Sequence, residues 1–98
     1  MRYLIKFSKG EGIKFISHLD LMRTIQRIIR RSGVPIEYSK GFNPHMALSL
    51  AQPLSVGVYS DGEYMDIVLT EEMKVADLLA RLNEAAPPTI RFFEATPI

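Results

Sequence analysis

Apolar and polar residues alternate with period two over "RYLIKFSK" (2–9), with Tyr3, Ile5 and Phe7 on one side and Arg2, Leu4 and Lys6 on the other. That period, with aromatic and branched side chains, predicts a half-buried strand. The glycine-bearing "KGEGIKF" reads as a loop, and the period then changes. Leu21, Met22, Ile25, Ile28 and Ile29 recur at helical spacing between His18 and about Ser32, and Arg23, Arg27, Arg30 and Arg31 fall opposite them. Ser17 suits the N-cap, Asp20 complements the dipole in the first turn, Gly33 suits the C′ position and Pro35 forbids continuation.

Three further strands are expected: "MALSLA" (46–51), "EYMDIVL" (63–69, with Met65, Ile67 and Leu69 on one face) and "TIRFFEA" (89–95, with Ile90 and Phe92 opposite Arg91 and Phe93). The Asp61-Gly62 pair reads as a turn before the third strand. Thr70 is expected to cap a second helix with Glu71 and Glu72 in its first turn and Val75, Leu78, Leu79 and Leu82 as its stripe, and Pro87-Pro88 closes that connection. The order β-α-β-β-α-β predicts an α+β, ferredoxin-like split βαβ fold. Its antiparallel sheet has strands one and three in the centre and both helices on one face.

Such a fold leaves one sheet face bare, carrying Arg2, Leu4, Lys6, Arg91 and Phe93. That mixture suits base stacking, or cover by a neighbouring domain or a second copy of the chain. The RNA-recognition-motif signature is missing from "EYMDIVL", and Asp66 on that face repels phosphate, so the packing reading weighs more.

Composition narrows the classes. The chain's 98 residues suit one domain, and 47% hydrophobic with 23% charged residues suits an ordered one. The absence of cysteine removes disulfides, iron–sulfur ligation, thiolate zinc sites and a thiol nucleophile. No apolar run reaches the ~18 residues of a membrane span, and the N-terminal segment alternates as a strand does rather than as a signal peptide does. A cytoplasmic location is therefore expected. The net charge of +1 announces no nucleic acid, but basic residues crowd 2–40 and acidic ones 61–84.

Candidate chemistry gathers around the first helix. Arg23, Arg27, Arg30 and Arg31 lack acidic partners four residues away; they form either a solvated face or a phosphate-contacting one, with Lys14 and Lys40 joining from flanking loops. The loop "SKGFNPH" (39–45) offers Lys40 as a cation, Phe42 as a stacking ring and Asn43 as an amide able to read a base edge. Gly41 supplies backbone freedom and Pro44 restricts Asn43 to extended angles. Phe42 has the plainer reading of a core plug. His18, at the positive end of a helix dipole, is disposed to stay neutral, and with His45 it offers either a base–acid pair for metal-independent RNA cleavage or an incomplete metal site. No metal-binding histidine motif completes such a site, so neither metal nor cofactor is expected.

Residues 34–39 are expected to form a short strand that retraces the helix. At roughly 3.3 Å per residue it climbs about 20 Å. "KGFNPH" then turns beside His18 and forms a pocket of Phe42, Asn43, His45 and His18 over the free N–H groups of the first helical turn, with Arg23 the nearest arginine to Lys40. The competing arrangement leaves 34–45 at the helix C-terminus and separates the two histidines by the length of the helix.

Taken together, "FISHLDLMR", "YSKGFNPH" and "QPLSVGVYSDGEYMDIVL" resemble the radical-SAM-linked family, a domain of unknown function fused to or encoded beside radical SAM proteins. The resemblance runs from the first strand into the second helix; where the family's loop has a second proline after its histidine, this chain has Met46. It implies a partnership with a radical SAM protein rather than radical chemistry, since the cluster-binding cysteines are absent, and a domain that continues beyond this stretch. The expected function is a non-catalytic accessory module presenting RNA or another anionic substrate. The alternatives are a ribonuclease using His18 and His45, and a protein-interaction domain, with a homodimer formed through the bare sheet face.

Overall fold

Six elements follow in the order β1 (Arg2–Lys9), α1 (His18–Ser32), β2 (Leu48–Leu50), β3 (Ser60–Val68), α2 (Val75–Ala85) and β4 (Ile90–Pro97) in a computed structural model that describes residues 1–10, 17–50 and 60–98. The sheet order is β2-β3-β1-β4 and every pairing is antiparallel. The expected ferredoxin-like arrangement is thus present, with β1 and β3 central. Alternation in β1 sends Tyr3, Ile5 and Phe7 into one core with Met65 and Ile67 of β3, Ile90 and Phe92 of β4, Leu21, Ile25, Ile28 and Ile29 of α1, and Leu78 and Leu82 of α2.

The ends of α1 follow the capping chemistry. Ser17 Oγ accepts from Asp20 N at 3.2 Å, and Gly33 takes the left-handed conformation, φ 76°, that ends the helix. Replacing such a cap by alanine costs about 1 kcal/mol.

Two expectations are corrected. Asp61-Gly62 does not turn the chain but lies inside β3, where Phe7 pairs with Glu63 and Lys9 with Ser60. Three steps of β3 therefore answer two of β1, and the glycine that suits a turn serves a bulge instead. Thr70 does not cap α2, which begins at Val75 with Lys74 as an N-cap without a side-chain bond, so Glu71 and Glu72 precede the helix. The segment before it is held otherwise. Thr70 N and Oγ1 both donate to Pro35 O, and the Tyr3 hydroxyl donates to Met73 O at 2.9 Å while accepting from Met73 N at 3.0 Å. These long-range bonds outweigh the local capping preference of a threonine.

The outer edge of β4 is guarded at Phe92. Asn83 Nδ2 donates to Phe92 O at 2.7 Å, and Phe92 N donates to Asn83 Oδ1 at 2.8 Å, so one side-chain amide stands in for a neighbouring strand. Beside it a bulge pairs Phe7 with Phe92 but Lys6 with Glu94, which leaves Phe93 as the extra residue on the exposed face.

Candidate nucleic-acid interface

Arg23, Arg27, Arg30 and Arg31 are all exposed on α1. Among the described residues only Arg23 reaches an acid, Asp20, at 3.7 Å, an exposed pair of small worth. At about 100° per residue the four divide into two rows. Arg27 and Arg31 flank the groove between α1 and α2, whose lining also includes Arg81 and Glu84, whereas Arg23 and Arg30 line neither hollow of that groove. Arg81 of α2 was invisible to a reading of α1 alone, because nothing in the helical period says which side chain of another helix will face it. Arg30 and Arg31 also stand in the last turn, where the dipole favours cations.

The 39–45 loop has a definite base. Val34, Ile36 and Met46 are buried in the core, and every residue from 37 to 45 is exposed. Ile36 bridges Leu69 and Tyr38 bridges Met46; Glu37 N donates to Val68 O, Val68 N donates to Ala47 O, and Ala47 N donates to Glu37 O. Ser39 N donates to His45 O at 2.8 Å and His45 N to Ser39 Oγ at 2.9 Å, which closes the stem. Both legs of this hairpin therefore leave the sheet beside Val68 and Leu69, the end at which β1 starts and α1 finishes.

This corrects the expected pocket. Residues 34–39 are extended, but they do not carry "KGFNPH" back along the helix, because the leg that returns through His45 and Met46 meets Val68 again. Lys40 accordingly belongs to the end of α1 that bears Arg30 and Arg31, not to the Arg23 end. His18 opens α1 and His45 is fixed near its close, and the 15 residues between the helix ends rise about 22 Å. The base–acid arrangement of the ribonuclease reading has lost its geometry. Phe42 plugs no core: it is 103% exposed, at a tip where Gly41 holds φ 129°. Asn43 and His45 are exposed beside it. Lys14 lies outside the described residues.

On the bare face Leu4, Tyr64 and Phe93 are 37%, 38% and 43% exposed, with Lys6 Nζ 5.9 Å from the Tyr64 ring centroid and 5.3 Å from that of Phe93. Asp66 is not a free negative charge. Arg2 Nε donates to both of its oxygens at 2.9 Å, and that fork raises the Arg2 guanidinium above its usual pKa.

One pair on the opposite face escaped notice in the sequence. Lys9 is buried, 4% exposed, with Nζ 3.9 Å from Glu63 Oε1, while Glu63 Oε2 finds no hydrogen-bond partner among the described residues. The signal was the alternation itself, since Lys9 continues the series Tyr3, Ile5, Phe7 and Glu63 the series Met65, Ile67, Leu69. Among the described residues, no group of three or more His, Cys, Asp or Glu side chains could hold a metal ion. No helix among them is long and apolar enough to cross a membrane.

A family model described as an uncharacterized protein conserved in bacteria, DUF2344, matches residues 2–98. The chain belongs to the DUF2344 family. No curated protein and no solved structure matches it. For DUF2344, then, the arginines, the hairpin and the bare sheet face are what this chain itself offers toward a function.

Proposed function

We propose that this DUF2344 chain is a non-catalytic binding module that presents RNA, or another substrate with repeated negative charge, to a radical SAM protein in the cytoplasm. The observation that carries the binding half is the set of exposed α1 arginines, of which only Arg23 has an acidic neighbour within ion-pair distance among the described residues. Guanidinium groups are weakly hydrated forks that match phosphate oxygens, so such a set favours a phosphate-bearing strand over a single small anion. The hairpin adds Lys40, Phe42, Asn43 and His45 as an exposed tip on a fixed stem. That is the division of labour expected of a loop that binds while its scaffold stays rigid. The radical SAM half rests on the resemblance of "FISHLDLMR" and "YSKGFNPH" to the radical-SAM-linked family. The bare face, with Leu4, Tyr64 and Phe93, is the surface suited to a protein.

The test is fluorescence anisotropy of a labelled single-stranded RNA titrated with the chain at several salt concentrations. Binding should weaken with salt, and Arg23→Ala with Arg27→Ala should flatten the log–log slope by about 0.7 for each phosphate left without its arginine. Binding that is absent, or indifferent to salt and to these changes, would leave the protein-interaction reading in its place.

A further inference from the structure

Two adjoining hollows lie between α1 and α2, of about 260 and 320 Å³. They share Arg31, Glu84 and Ala85; Arg81 lines the first, and Arg27 and Thr24 line the second. Three guanidiniums thus surround a continuous groove against one carboxylate, and among the described residues none of the three is within ion-pair distance of Glu84 or of any other acid. Arg81 has only a long bond, Nη1 to Gly33 O at 3.5 Å, to occupy it. The floor of the second hollow is apolar, with Ile28, Ala85, Ala86 and Pro87.

We infer that this interhelical groove is the track of the RNA strand, with Arg27, Arg31 and Arg81 on consecutive phosphates and a base or sugar over the apolar floor. The inference rests on the RNA-binding reading above and adds to it a place and a residue, Arg81, that the α1 stripe does not contain. Two features select RNA over an acidic protein segment. First, the walls are the closing turns of two helices, whose N–H groups bond internally, with Ala86 N on Asn83 O and Pro87 carrying none, so they offer no donor to the C=O groups of an extended peptide. A phosphodiester backbone presents acceptors, which guanidiniums satisfy. Second, planar guanidiniums beside an apolar floor accommodate bases as well as phosphates.

The experiment uses the whole chain and a fluorescein-labelled 12-nucleotide single-stranded RNA, read by anisotropy against salt. Arg81→Gln should lower the log–log slope by about 0.7. Glu84→Gln, which removes the groove's one negative charge, should tighten binding about two- to fivefold at low salt. Arg30→Gln, on the other row, should do less than Arg81→Gln, and circular dichroism melts control for folding. Salt-dependent RNA binding in which Arg81→Gln and Glu84→Gln are both silent while Arg23→Gln or Arg30→Gln flattens the slope overturns the groove and leaves the RNA reading standing. No RNA binding by the unaltered chain overturns both. A (Glu)12 peptide that binds as tightly as the RNA and loses affinity equally with Arg81→Gln reassigns the groove to an acidic protein segment and overturns the inference.

Discussion

Lys9 and Glu63 place two charges on the sheet face that bears the helices, Nζ to Oε1 at 3.9 Å, with the second carboxylate oxygen unpartnered among the described residues. Such a pair contributes little net stability, because desolvation of both ions offsets their attraction, yet removing one member strands the other. Lys9→Met alone should therefore destabilise the fold by about 3 kcal/mol, while Lys9→Met with Glu63→Leu should recover most of that deficit. Urea denaturation of the single and double variants measures both. Equal destabilisation in the two variants would mean that the charges are solvated and do not depend on each other. The Tyr3 hydroxyl makes the same point by contrast. It sits on the same strand face, but both of its bonds close on the Met73 backbone, so it is a settled structural contact.

At the scale of elements, what periodicity dictates was legible in the sequence. β1 and α1 span the residues that alternation and the Ser17 and Gly33 caps imply, and the buried faces of β3 and β4 carry the residues expected there. What escaped depends on contacts distant in sequence. The start of α2 is set by Tyr3 and Pro35, some 35–70 residues away, and Asp61-Gly62 became a bulge because β1 fixed the register on both sides of it. The hairpin failed in a similar way. Its extended character was readable in Val34, Ile36 and Tyr38, but its direction was decided by two hydrogen bonds at Val68. This geometry makes the tip dispensable to the fold. Replacing Lys40–Pro44 by Asn-Gly, or Phe42 by Ala, should change stability by no more than about 0.5 kcal/mol, as for surface positions generally. RNA affinity should nevertheless fall, as the same anisotropy titration would show. A large drop in melting temperature for Phe42→Ala would show instead that the ring is buried in the folded protein.

The whole molecule has two unlike faces. Arginines lie over the helical layer, and the bare sheet face has Leu4, Tyr64 and Phe93 around Lys6, with Asp66 neutralised by Arg2. Neutralisation removes the main electrostatic objection to covering that face. A cation held between two rings keeps part of its stabilisation when water leaves. The Phe92–Phe93 bulge and the Asn83 clamp hinder association through the β4 edge, so a second copy should meet this one over the bare face rather than along β4. Sedimentation equilibrium at rising concentration should accordingly show a reversible monomer–dimer equilibrium. Phe93→Asp, which puts a charge on the face without touching the core, should abolish it and leave the melting temperature nearly unchanged. RNA binding by the helical layer should survive that substitution, because the two faces are separated by the sheet. A chain that stays monomeric at every concentration would assign the face to a different protein, and disappearance of RNA binding with Phe93→Asp would place the nucleic acid on the sheet and not on the helices.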